Sequence, residues 1–154
     1  MFREMRRKDR AISDDEAIKL LENGKFGVLS MTCENGYAYG IPLNYAYRDG
    51  NIYFHCAGEG AKLDNIRHNN KVSFCVVGET RPLPEKFSYS YESVVAFGKA
   101  EEISGKEKED ALFMLIEKYS ADFKEKGREY INRAAPETTV VKISVEHITG
   151  KARR

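Results

Sequence analysis

The chain has 154 residues, 42% hydrophobic and 32% charged, with 25 Lys and Arg set against 24 Asp and Glu. That length fits one domain over residues 1–154 with a core of its own, and the charge balance excludes a chain-wide basic field for nucleic acid. No apolar run is long enough to span a bilayer, Met1-Phe2-Arg3 leads into charge rather than an apolar leader, and three widely spaced cysteines suit a reducing compartment, so a cytoplasmic protein is expected.

The first ten residues are locally basic, with Arg3, Arg6, Arg7, Lys8 and Arg10, and read as a solvated arm. Ser13-Asp14-Asp15-Glu16 is a capping box ahead of an apolar stripe, Ala17, Ile18, Leu20 and Leu21, and Asn23-Gly24 closes that helix with a glycine free to turn left-handed. From Phe26 the period changes to two. Strands are expected over Phe26 to Thr32, Tyr37 to Tyr47 and Asn51 to Ala57, joined by Asn35-Gly36 and Asp49-Gly50 as an antiparallel meander. Pro42 cannot donate to a ladder, so it marks an edge, a bulge or a place where the sheet opens.

Lys62 to Asn69 reads as a short helix and Val72 to Val77 as a fourth strand. Gly78 to Lys86, with its prolines, reads as loop. Tyr89 to Ile103 is a long strand bent at Gly98. Lys106 to Tyr119 is a helix with Ala111, Leu112, Leu115 and Ile116 inward. Lys124 to Arg133 adds a turn or two of helix, and Thr138 to Val145 is the last strand. About six strands linked mostly as hairpins give a mainly β, α+β antiparallel barrel with flanking helices.

The stretch Ile52-Tyr53-Phe54-His55-Cys56-Ala57-Gly58-Glu59-Gly60-Ala61-Lys62 gathers the candidate chemistry. A metal site is disfavoured, because His55 and Cys56 are adjacent in a strand and point to opposite faces, and no second ligand pair stands at zinc spacing. Cys56 is in phase with Ile52 and Phe54, so its thiol packs in the core and is inert. Gly58-Glu59-Gly60 matches no dinucleotide or Walker fingerprint. Even so, a glycine turn leading into a helix start, with Lys62 in the first turn, is a cradle for an anion, against which stands the plain reading of a turn with a solvated lysine. His55 stands beside whatever that cradle holds. The strand tyrosines Tyr37, Tyr39, Tyr45, Tyr47, Tyr53, Tyr89 and Tyr91 are mostly packing, and some are candidates to stack on a planar aromatic ligand.

Several segments together resemble the Nim-type nitroimidazole-resistance proteins of the pyridoxamine 5′-phosphate oxidase-like, FMN-binding split-barrel superfamily. They are Met1 to Arg7 before a capped helix, Ile41-Pro42-Leu43-Asn44-Tyr45, Ile52 to Ala57 with Lys62 and Ile66, Lys71-Val72-Ser73-Phe74, Ser93 to Ala100, and Ile148-Thr149-Gly150-Lys151. The resemblance implies a homodimeric six-stranded split barrel with FMN, or FAD in its place, at the subunit interface. Carried over by position, it implies that Pro42, Leu43 and Asn44 run beside the isoalloxazine. His55, Cys56 and Ala57 then line the ring, Lys62 pairs with the phosphate, and Ser93 and Val94 stand near the phosphate and ribityl chain. Ala61 and Glu92 depart from the pattern, since a polar or basic residue and an arginine are common at those places. The expected activity is reduction of a small planar acceptor, such as a nitroimidazole-type nitro compound, with His55 as proton donor or substrate orienter. A pyridoxamine-phosphate-oxidase-like enzyme and a flavin-storage module without turnover are the alternatives.

Overall fold

The computed structural model describes residues 1–154. Helix α1 (Asp14–Asn23) starts where the capping box places it, with the N–H of Glu16 donating to Ser13 Oγ at 3.2 Å. The carboxylate of Glu16 does not reach back; it pairs with Arg154 at 2.9 Å. Gly24 is extended, at φ −62°, rather than left-handed. It is a glycine for space: a Cβ there would lie 2.4 Å from the Tyr45 hydroxyl.

The remaining elements are β1 (Gly27–Thr32), β2 (Ala38–Leu43), β3 (Ala46–Arg48), β4 (Asn51–Ala57), α2 (Ala61–His68), β5 (Lys71–Leu83), β6 (Ser88–Ile103), α3 (Gly105–Tyr119), α4 (Lys124–Ala134) and β7 (Thr138–Arg153). No helix is long and apolar enough to cross a membrane. There are seven strands rather than the expected six, because the segment Tyr37 to Tyr47 is two strands with different partners: β2 pairs with β1 and β3 pairs with β4. The expected loop Gly78 to Lys86 is also corrected. β5 bulges between Val77 and Thr80 and continues beside β6 as far as Leu83, which pairs with Ser88. Pro82 fits there because this outer part of β5 pairs with β6 alone and leaves its other edge free, where a missing N–H costs no ladder bond.

All strands form one antiparallel sheet in the order β2-β1-β5-β6-β7-β4-β3. The two edge strands, β2 and β3, are consecutive in the chain and separated only by Asn44 and Tyr45. Residues that close in sequence cannot lie far apart. The sheet therefore rolls until its edges meet at that crossing, and it closes there through the chain instead of through a ladder. The rolled, unclosed sheet is consistent with the expected split barrel, and Pro42 sits on its edge strand β2.

Leu29, Phe54, Phe74, Val76, Val94 and Ile143 fill the barrel and are fully buried. Burying each such side chain is worth about 1.5–3 kcal/mol. A second, smaller core lies outside the barrel, where Tyr53 and Val140 meet Ala111, Leu112 and Ile131 of α3 and α4. β4 is thus buried on both faces at Ile52, Tyr53 and Phe54. The expected bend at Gly98 is a shift of register against β7 between Phe97 and Gly98, and a Cβ at Gly98 would stand 2.2 Å from the Ser144 carbonyl oxygen.

Candidate functional site

Beyond Tyr53, β4 has no partner on the side away from β7, because β3 is only three residues long. β2 likewise has no partner on the side away from β1. The two free edges flank a cavity of about 260 Å³ lined by Tyr39 and Ile41 of β2, Cys56 and Ala57 of β4, and Glu59 to Leu63. A larger cavity, about 680 Å³, lies between α1 and β5 with Leu20, Phe26, Val77 and the Arg154 ion pairs. The smaller one is the candidate site, because unpaired strand edges, a helix start and a cation converge on it.

The turn after β4 carries the anion-binding features. Gly60 has φ +140°, a conformation that L side chains rarely adopt, and α2 begins without a side-chain cap. The first N–H groups of a helix have no intrahelical partner and face outward with the positive end of the dipole. Lys62 is half-buried at this helix start and enters no ion pair within the chain.

The structure brings Cys56, Ala57 and Lys62 into one cavity. Leu43, in phase with Tyr39 and Ile41, packs on the barrel core, while Pro42 is exposed. Asn44 lies on the crossing and donates from Nδ2 to the Lys25 carbonyl at 3.2 Å. His55 stands on the face of β4 opposite Cys56 and is exposed. Partial burial of the ring, and then the Lys62 charge, lower its pKa, so the neutral imidazole is its resting form at neutral pH. Burial pushes the Cys56 thiol up, with Lys62 opposing, which favours the protonated thiol. Ser93 lies elsewhere, in an outer cavity with Thr149 and Lys151, and Val94 is buried inside the barrel, so neither joins the cradle within one chain.

Tyr39, from the sequence only one of several candidate stacking tyrosines, lines the site together with Ile41, Glu59 and Leu63, to which the sequence assigns no site role. The period-two phase Tyr39-Ile41-Leu43 was the available signal for the first two. The apolar stripe announces α3 as a helix but gives it no part in the site, yet its last turn holds the crossing. Tyr119 Oη is 2.6 Å from the Lys25 carbonyl, 3.1 Å from the Tyr45 carbonyl and 3.2 Å from the Tyr45 nitrogen. A phenol has one proton, and the shortest contact takes it. Tyr119 therefore donates to Lys25 and accepts from the Tyr45 N–H, which leaves the Tyr45 carbonyl to Lys118 Nζ at 3.0 Å. The same amine sits 3.8 Å over the Tyr45 ring. Burial lowers its pKa to about 8. The Tyr45 hydroxyl donates to the Leu21 carbonyl, and burial raises its pKa.

A family model described as pyridoxamine 5′-phosphate oxidase matches residues 13–152. Among solved structures, the chain is similar to a candidate 5-nitroimidazole antibiotic resistance protein from Bacteroides thetaiotaomicron, at 25% identity and a TM-score of 0.75, covering 92% of this chain and 86% of that one. It is similar to a conserved hypothetical protein from Mycobacterium tuberculosis at 18% identity and a TM-score of 0.84, covering 98% and 91% of the two chains. It is also similar to an FAD-binding protein from Mesorhizobium loti at 22% identity and a TM-score of 0.66, covering 94% and 98%. None of the curated proteins compared matches the chain.

Proposed function

The chain belongs to the pyridoxamine 5′-phosphate oxidase family, and from that premise we propose that it is a flavin-dependent oxidoreductase holding FMN or FAD in the split of its barrel. The observation that carries the reading is the convergence of an unpaired lysine, an uncapped helix start and two free strand edges on one cavity. The residues fit the group. The cradle suits a phosphate, and Ile41, Cys56 and Ala57 give an apolar wall for a flat ring, with unladdered backbone to hydrogen-bond its rim. When bound, the flavin would supply electron transfer to a planar acceptor. In this reading Lys62 binds and neutralises the phosphate and the walls exclude water, while His55, on the opposite face of β4 from Cys56, could meet an acceptor only from outside this cavity. The Mesorhizobium relative's FAD supports the cofactor, and the Bacteroides relative makes nitroimidazole-type nitro compounds the first acceptors to test. Lys62 is the only cation on the cavity wall, which disfavours a substrate bringing a second phosphate of its own.

We further propose a homodimer. One chain's cavity of about 260 Å³ is smaller than the roughly 300–1,000 Å³ of a ligand pocket, so another wall is needed. The outer face of β1 and β5 presents mostly small side chains, Val28, Ser30, Ser73, Cys75 and Val77, with Val28 37% and Val77 59% exposed, and a second copy would cover it.

The test is to titrate the purified protein with FMN and with FAD, following the visible flavin spectrum, and then to assay nitro reduction with a chemical reductant. Tight uptake that is lost in Lys62→Ala supports the site. A wild-type protein that takes up neither flavin sinks the reading. Uptake with nitro reduction no faster than free flavin leaves a storage module and removes the enzyme.

A further inference from the structure

In a closed barrel every strand's backbone is fixed by two neighbours. At Asn44 and Tyr45 that support is missing, because the chain there leaves the β1 ladder and has not yet entered the β4 ladder. Buried or half-buried backbone groups still need partners. The last turn of α3 supplies them: Tyr119 Oη takes the Tyr45 N–H, and Lys118 Nζ takes the Tyr45 carbonyl. Tyr119 also ties the crossing to Lys25, which Asn44 meets from the other side. Two side chains thus replace a strand.

The choice of lysine is costly. Lys118 is half-buried and enters no ion pair; Glu22, Glu117 and Arg48 line the depression beside it, and no carboxylate lies within 4 Å of its amine. Desolvation lowers its pKa to about 8, so the fold bears a poorly hydrated charge at neutral pH. An apolar side chain of similar length would avoid that desolvation. What it would lose is the bond to the Tyr45 carbonyl.

The crossing lies next to Leu43, and Leu43 follows Ile41 and Tyr39, which form one wall of the cavity. We propose that Lys118 and Tyr119 are positioning residues for the ligand of the split: they fix the Asn44–Tyr45 crossing and so set the separation of the free edges of β2 and β4. This rests on the flavin reading for the identity of the ligand, and on hydrogen bonds within the chain for the clamp itself.

The experiment compares wild type with Lys118→Met, Lys118→Arg and Tyr119→Phe. It measures FMN affinity, melting temperature and amide hydrogen exchange at Tyr45 in the flavin-free protein. In Tyr119→Phe the Tyr45 amide exchanges faster while the β6–β7 ladder does not. FMN affinity falls about fivefold in Tyr119→Phe and in Lys118→Met, what one net hydrogen bond is worth. Lys118→Met melts close to the wild-type temperature, because relieved desolvation offsets the lost bond and ring contact, and Lys118→Arg, which keeps a donor for Tyr45, restores affinity. A merely structural role would move affinity and melting together. Unchanged FMN affinity in both variants, or a loss that only tracks melting, overturns the proposal. If wild type takes up no flavin, the flavin reading falls separately. Unchanged Tyr45 exchange in Tyr119→Phe then overturns the clamp, and faster exchange supports it.

Discussion

The two sides of the barrel hold their backbones in different ways. On the β5–β6–β7 side each strand has two neighbours over part of its length, the ladders run long, and most of the side chains facing inward are buried. On the β2–β3–β4 side the ladders stop, a helix supplies substitute partners, and a cavity remains. The first side spends its polar groups on itself and so yields stability. The second leaves some unspent and can give them to a ligand. Stability and binding should therefore respond separately to substitutions on the two sides.

The largest contrast is expected between Phe74 and Ile41. Phe74 is fully buried and meets the Tyr45 ring at 4.8 Å, so Phe74→Ala should cost about 3–5 kcal/mol in urea unfolding. Ile41→Ala, at the half-buried wall of the cavity, should cost about 1–2 kcal/mol and weaken flavin uptake more than its stability loss explains. If Ile41→Ala proved as damaging to the fold as Phe74→Ala, the distinction between the sides would collapse. Next comes Gly98→Ala, which forces a Cβ onto the Ser144 carbonyl and should cost about 3 kcal/mol without touching the cradle. Calorimetry and a flavin titration on the same sample check both halves of that statement.

Lys62→Ala should do the reverse. Removing an unpaired lysine should change stability by about 0.5 kcal/mol or less, while flavin affinity drops about tenfold or more. The smallest effect is on pH. Lys118 is held near 8 against an ordinary 10.5, so between those values the unfolded chain binds a proton that the fold has shed, and its contribution to stability rises with pH. The Cys56 and Cys75 thiols, raised by burial above an ordinary 9, pull the other way, as does the Tyr45 phenol. The comparison is therefore between wild type and Lys118→Met. Wild type should gain relative to the variant from pH 8 upward, read from urea midpoints, and parallel curves would disprove the assignment.

Legibility in the sequence divides along the same line. The capping box at Ser13, the alternation in Val72 to Val76, and the glycine turn before Lys62 are local patterns, and each forms the element it announces. The split is not local. Pro42 marks an opening, but whether one strand or two run past it depends on partners far along the chain, and the count of six strands missed the change of ladder at Asn44. The prolines after Gly78 pointed to a loop because a strand edge free of partners cannot be seen in sequence. The roles of Lys118 and Tyr119 come from contacts more than 70 residues apart, between Tyr45 and the end of α3, which no spacing encodes. Ser93 illustrates the opposite limit: a family position carried over by resemblance lies, in a single chain, away from the cradle it was matched with.

The crossing at Asn44 and Tyr45 also constrains how anything enters. β2 and β3 meet there, and β4 is still laddered to β3 as far as Tyr53. The margins of the slot are joined at that end like the corner of a jaw, and they part only toward Tyr39 and Ala57, where the cavity lies. A flat ligand of the split would pass the start of α2 and run toward the joined end. Its depth of insertion would then be set by the corner, and Lys62 at the mouth would hold its anionic end there.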